Sequence, residues 1–241
     1  MNLIFGNIVD NVHAKKVIKN LDKYILKAKE AQPFNAATVI SACDKLSSKL
    51  SEDDIKLLID MGVPQYKAEQ EFRLLKLMLS KEYLENRLKT EFGTSETYEY
   101  EEEYKPYGYD VKVRHKFVPL GTLFHISAGN VELLAAFSII EGLLTGNINI
   151  VKLSSSDDGL SVMLLKKLID IEPLLKSFIF VFDIVSDDIK TLKKISYISD
   201  ALVVWGSDEA IRAARTFAGI NTRIIEWGHK ISFAYVSYDK N

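Results

Sequence analysis

Arg114–Asp157 reads RHKFVPLGTLFHISAGNVELLAAFSIIEGLLTGNINIVKLSSSD, and this stretch decides the fold. Gly121–Ser127 is a run rich in aromatic and branched residues that ends in a small-residue turn, Ala128-Gly129-Asn130. The long apolar segment Val131–Leu144 follows, interrupted only by the charges of Glu132 and Glu141. Thr145-Gly146-Asn147 breaks it, and a second apolar run, Ile148–Leu153, carries one cation, Lys152. Strand, tight turn, helix, glycine stop and strand make a βαβ unit. Both strands are apolar on both faces, which fits a parallel sheet covered by helices.

Working outward, the alternation continues downstream. Strands are expected near residues 120–127, 147–152, 178–183, 200–205, 222–226 and 231–236, and helices near 130–144, 158–170, 187–196 and 207–219. This is the rhythm of an α/β protein with a doubly wound parallel sheet. Upstream, residues 14–92 are helix-rich. Val17, Leu21, Tyr24, Ile25 and Ala28 stand at helical spacing, Asn35 can cap a helix over residues 36–50, and Ser51-Glu52-Asp53-Asp54 is a helix start. Phe72, Leu75, Leu79, Tyr83 and Leu88 continue the apolar stripe to Gly93. Between the two regions, acidic residues 99–103 and basic residues 112–116 alternate with tyrosines and valines on either side of Lys105-Pro106-Tyr107-Gly108. That pattern predicts a β-hairpin with cross-strand ion pairs. The expected organisation is a helical segment over 1–93, a hairpin over 94–118 and a Rossmann-like domain over 119–241.

Composition bounds the function. With 241 residues, 47% of them hydrophobic, the chain can bury a substantial core. Thirty-one basic and 33 acidic residues nearly cancel, so nothing suggests a nucleic-acid partner or a polybasic membrane patch. A single cysteine, Cys43, excludes an internal disulfide and suits a cytoplasmic location. It lies among apolar residues of a helix, where a buried structural thiol is the expected reading. No signal peptide or bilayer-spanning stretch is read. The four histidines are scattered, no cysteine–histidine spacing suggests a metal, and neither G-x-G-x-x-G nor a P-loop occurs.

Three motifs in order carry a resemblance: Pro119-Leu120-Gly121, Ile126-Ser127-Ala128-Gly129-Asn130, and Gly146-Asn147-Ile148-Asn149-Ile150-Val151-Lys152. They resemble the aldehyde dehydrogenase superfamily, and in wording the acyl-CoA reductase branch, the long-chain fatty-acid reductases of bacterial bioluminescence. The resemblance covers roughly residues 116–236. It implies a dinucleotide held at the carboxyl ends of the strands without the usual glycine fingerprint. It also implies an acyl-CoA or acyl thioester substrate and homo-oligomeric contacts through the 94–118 hairpin.

Each candidate site residue has a functional and a plain reading. Asn130, after a strand and at a helix start, can donate its amide to a developing oxyanion or simply cap the helix. Lys152 ends a buried strand, so its ammonium should emerge at the sheet's carboxyl edge. The resemblance implies that it contacts the cofactor's adenosine ribose. Many NAD-using relatives carry a glutamate three residues further on. Ser155 stands there instead and can donate to a 2′-phosphate, which favours NADPH over NADH, unless the loop is only polar. In Trp205-Gly206-Ser207-Asp208-Glu209, Gly206 permits a sharp turn and Ser207 a cap, and such a helix start attracts phosphate. The resemblance assigns it the pyrophosphate, with Asp208 and Glu209 turned outward; the plain reading is a strand–cap–helix junction without a ligand.

Glu226-Trp227-Gly228-His229-Lys230 is similar to the family's E-L-G-G-K motif. This makes Glu226 the candidate general base or thioester-handling carboxylate, with its pKa raised if it faces an apolar cleft; the plain reading is a surface glutamate at a strand end. Trp227 and His229 depart from that motif, at the nicotinamide site. In the family a cysteine thiolate takes the acyl group, and Cys43 matches no such position, so the catalytic cysteine domain is expected outside this chain. The expected function is the cofactor-binding part of an NADPH-dependent acyl-CoA reductase, itself inactive. The alternative is a non-catalytic binding or oligomerisation module of the same fold.

Overall fold

The computed structural model describes residues 1–31, 34–60, 62–129, 131, 133–228, 230 and 233–236. The chain opens with a tight hairpin, β1 (Asn2–Ile4) and β2 (Asn7–Val9). Phe5 and Gly6 turn it with φ of 51° and 78°, the paired positive values of a two-residue hairpin loop. Six helices follow: α1 (Asn11–Lys19), α2 (Leu21–Glu30), α3 (Ala36–Lys49), α4 (Glu52–Asp60), α5 (Gln65–Leu79) and α6 (Lys81–Phe92). Side chains start several of them. Asp10 accepts from the His13 amide at 2.7 Å and Asn35 from Thr38 at 2.8 Å. Two apolar stripes that look continuous in sequence are broken, at Asn20 and at Ser80, because helical spacing survives a cap when the next helix keeps the same buried face.

The expected hairpin is present as β3 (Glu101–Tyr104) and β4 (Val113–Lys116). Arg114 pairs with Glu101 at 3.0 Å and Lys112 with Glu103 at 2.8 Å across the strands. Then come β5 (Thr122–Ile126), α7 (Leu134–Leu144), β6 (Ile148–Lys152), α8 (Leu160–Ile171), β7 (Ile179–Phe182), α9 (Ile189–Tyr197), β8 (Ala201–Trp205), α10 (Asp208–Arg215) and β9 (Arg223–Trp227). The strand expected over 231–236 is absent across its described residues, 233–236, which are irregular; 231 and 232 lie outside the described residues. Helix α7 begins at Leu134, not at residue 130, with Leu133 at its N-cap.

The main sheet has seven strands in the order β2-β1-β7-β6-β5-β8-β9. The five from β7 to β9 are parallel, and β1 joins β7 antiparallel, with Leu3 opposite Val181. The N-terminal hairpin thus extends a sheet built by the second half of the chain. One core cluster joins α1–α3, α5–α10 and the sheet, with Phe124, Phe180 and Phe182 fully enclosed. Burying each such ring favours folding by about 1.5–3 kcal/mol. No helix among the described residues is long and apolar enough to cross a membrane.

From β5 the chain steps outward through β6 to β7, then returns to the other side of β5 for β8 and β9. The order reverses beside β5. In open α/β sheets, ligands bind at the carboxyl ends of the strands flanking such a reversal. Here those ends are the loops after Ile126, Lys152 and Trp205.

Candidate functional site

Lys152 closes β6 with 7% of its surface exposed. Its Nζ donates to Ser186 Oγ at 3.0 Å. Burial pushes the ammonium pKa down, and the Asp183 carboxylate partly offsets this. An ammonium has three donors, and Ser186 is its one hydrogen-bond acceptor among the described residues. Two donors remain for an acceptor-rich ligand at the sheet edge, which fits ribose or phosphate oxygens.

The serine run after β6 divides into two roles. Ser127 Oγ, at the end of β5, donates to the Lys152 carbonyl at 3.1 Å and accepts from the Ser154 amide at 3.0 Å. Ser156 Oγ donates to the Gly129 carbonyl at 2.9 Å. These bonds lash the loop after β6 to the loop after β5. A Cβ at Gly129 would lie 2.1 Å from Ser156 Oγ and 2.4 Å from Ser154 Oγ, so a larger residue there would displace both serine hydroxyls. Ser155, between them, is exposed in a turn and has no part in the lashing. The structural serines 154 and 156 are thus distinct from the one singled out by the sequence.

Asn130 lies outside the described residues, as does His229. Of the described residues nearby, Gly129 is bonded to Ser156 and Leu133 is held at a φ of 58°. A left-handed leucine costs on the order of 1–2 kcal/mol, and such strain concentrates at functional loops. Beside that loop, Val131, Leu133 and Phe137 face Phe72, Leu75 and Met78 across an apolar cleft of about 220 Å³. A second cleft, bounded by Leu160 and Met163, shares its Leu58, Phe72, Leu75 and Leu133 walls. The sequence reading missed this groove because its walls come from α5 and α7, 60 residues apart, and each wall reads as ordinary core.

Ser207 caps α10 by accepting from the Ala210 amide at 3.4 Å. The Gly206 amide donates to the Trp227 carbonyl at 3.2 Å, tying the ends of β8 and β9 together. Asp208 and Glu209 are exposed, in line with the expected outward placement. Glu209 does not leave the helix end, however. Its carboxylate takes the Ser207 hydroxyl and a backbone amide, and these bonds pull its pKa below the usual value. It occupies donors that a phosphate would use.

Glu226 does not sit in an apolar cleft. Arg215 of α10 holds it with two parallel bonds, Nε to Oε1 at 2.6 Å and Nη2 to Oε2 at 2.8 Å. These bonds hold its pKa down, opposite to the expected rise. Trp227 faces the other side of β9 and stacks on Trp205, with centroids 4.9 Å apart and planes 9° from parallel. Cys43 is fully buried, and burial together with Asp44 pushes its thiol up to about 12, in keeping with a structural role. No cluster of metal-binding side chains occurs among the described residues.

The sequence profile of the acyl-CoA reductase (LuxC) family matches residues 32–241. A long-chain acyl-protein thioester reductase of Photobacterium phosphoreum is 32% identical over 163 residues, which is 66% of this chain and 32% of that protein. A second, from Aliivibrio fischeri, is 32% identical over 129 residues, 52% of this chain and 27% of its own length. The chain thus spans about a third or less of the length of these two curated relatives. Among solved structures, the glyceraldehyde-3-phosphate dehydrogenase GapN from Methanocaldococcus jannaschii, complexed with NADP, matches with a TM-score of 0.63 at 19% identity, covering 90% of this chain and 46% of that one. Aldehyde dehydrogenase 21 from Physcomitrella patens gives 0.66 at 15% identity, covering 86% and 43%. At such identities the likeness shows the fold alone.

Proposed function

This chain belongs to the acyl-CoA reductase (LuxC) family and has an aldehyde-dehydrogenase-like fold, and from that premise we propose that it is the cofactor-binding part of a cytoplasmic reductase that turns a fatty acyl thioester into an aldehyde with NADPH. The observation that carries this reading is Lys152. A buried ammonium, with one hydroxyl partner among the described residues, stands at the carboxyl edge near the strand-order reversal. Lys152 would meet the adenosine ribose. Ser155, exposed next to it, would donate to a 2′-phosphate that a carboxylate would repel. Gly206 and Ser207 would receive the pyrophosphate once Glu209 swings away.

The cofactor supplies hydride when bound. The chain's own residues bind, orient and exclude water. The amide of Asn130 would donate to the thioester oxygen as negative charge develops on it. The apolar groove under Val131 and Leu133 supports an alkyl-chain site, because it opens beside that same loop. Glu226 would act as base only after release from Arg215, since an ionised, doubly bonded carboxylate is a poor proton acceptor. The acyl group would be carried as a cysteine thioester. Cys43 does not supply that thiol, so it would come from residues other than those of this chain.

The exposed tyrosines 104, 107 and 109 support self-association through the hairpin. An unchanged sedimentation coefficient per chain after hairpin deletion would count against it. The cofactor reading is tested by titrating NADPH against the wild-type chain and Lys152→Met. The expected result is saturable binding that weakens about ten-fold or more in the variant, as for loss of a charged hydrogen bond. Unaltered affinity would place the cofactor elsewhere.

A further inference from the structure

Four side chains form one continuous chain of hydrogen bonds through α7 and the sheet, ending on a backbone carbonyl. Trp205 Nε1 donates to Ser138 Oγ at 3.2 Å. Ser138 Oγ lies 2.7 Å from His125 Nδ1, and His125 Nε2 lies 3.0 Å from Asn149 Oδ1. Asn149 Nδ2 donates to the Asn147 carbonyl at 2.8 Å. His125, Ser138 and Asn149 are buried.

The direction of every bond is fixed. An indole N–H can only donate, so Ser138 Oγ accepts there. The Asn149 amide is oriented by its donation to Asn147, so its oxygen accepts from His125 Nε2. The imidazole is neutral, because full burial pushes its pKa down to about 4. Nδ1 therefore accepts, and the Ser138 hydroxyl donates to it. A chain with one arrangement of protons is rigid. Its outer end is the Trp205 indole, on which Trp227 stacks with 48% of its surface exposed. That stack adjoins the Gly206-Ser207 turn and follows Glu226.

We propose that Ser138 and His125 are positioning residues: they lock the Trp205 indole, and through it Trp227, as a flat aromatic wall for a heteroaromatic ring of the dinucleotide cofactor. The proposal rests on the cofactor reading above. Aromatic faces bind nucleobase-like rings by stacking, and a wall fixed before binding loses less entropy when the ring arrives.

The test uses two readouts on the whole chain, one of them free of cofactor. The chain has two tryptophans, so the indole bands of the near-UV circular dichroism report on this stack alone. Trp227→Phe calibrates the signal. Ser138→Ala is expected to lose most of it and to weaken NADPH binding about five-fold, one neutral hydrogen bond's worth. Ser138→Thr, which keeps the hydroxyl, should retain both. Ser47→Ala removes another buried hydroxyl, bonded to the Lys76 carbonyl far from the stack, and should lower stability while leaving both readouts unchanged. If Ser138→Ala does not fold, Trp205→Phe keeps a ring, removes the donated N–H and leaves Trp227 as sole reporter, with the same losses expected. Intact indole bands in Ser138→Ala overturn the relay. Lost bands with unchanged NADPH affinity overturn the positioning role. Should the wild-type chain bind no dinucleotide while Ser138→Ala still erases the bands, the cofactor reading fails and takes the aromatic wall with it, whereas the relay stands.

Discussion

Gly142→Ala should destabilise this protein, although alanine is the better helix former by about 1 kcal/mol. Gly142 lies inside α7. A Cβ built there falls 1.8 Å from Asn149 Oδ1 and 2.8 Å from its Cγ. Non-bonded heavy atoms do not approach much below about 2.7 Å even in hydrogen bonds, so the amide must shift by roughly 1 Å. It has nowhere to go at low cost, because it is fully buried between the His125 ring and the Asn147 carbonyl. Overpacking costs about 1–3 kcal/mol, and a stranded buried polar group costs about 1–3 kcal/mol more. Set against the gain in helix propensity, the net loss is about 1–5 kcal/mol, which lowers Tm by roughly 2–20 °C at this chain length. Thermal unfolding followed by circular dichroism measures it. Asn149→Ala removes the clashing amide, so the double variant should lose less than the two single losses together. A Tm at or above that of wild type would refute the steric argument and leave helix propensity in charge.

Three further outcomes follow from the same geometry. His125 has its pKa depressed from 6.5 to about 4 in the folded protein, so its contribution is fully present above pH 6.5 and is lost as pH falls towards 4. It amounts to about 3 kcal/mol; urea unfolding of wild type and His125→Asn should converge in pH dependence across that window only if His125 is not its source. Glu209→Gln should tighten NADPH binding about two- to five-fold by freeing the α10 N-terminus from a carboxylate, and an unchanged affinity would move the pyrophosphate away from Ser207. The 241-residue chain should release no aldehyde from acyl-CoA and NADPH; turnover that disappears in Cys43→Ala would make Cys43 the nucleophile despite its burial.

The parallel strands and the cap at Ser207 were legible because each is written locally, in an apolar run or a residue that stops a helix. The hairpin at 101–116 was legible too, since its ion pairs alternate with the strand period. The N-terminal hairpin was not, for β1 and β2 are three residues each and join the sheet only because β1 pairs with β7, about 175 residues away. The end of Glu226's side chain was likewise hidden: the motif gives its place on β9 but not Arg215, which α10 brings to the same face. In the sequence His125 is one of four scattered histidines and Asn149 lies unmarked in an apolar run. Only the packing of α7 across β5 and β6 shows that they satisfy each other.

The central claim is that the carboxyl edge of this sheet holds NADP(H). Calorimetric titration of NADPH and NADH against the wild-type chain and Ser155→Glu tests it most directly. The expected result is tighter binding of NADPH than of NADH by wild type, with the Ser155→Glu change weakening NADPH selectively. Equal affinity for the two cofactors, or equal loss of both in Ser155→Glu, would contradict the preference for the 2′-phosphate. No saturable binding of either by the wild-type chain would contradict the cofactor site itself.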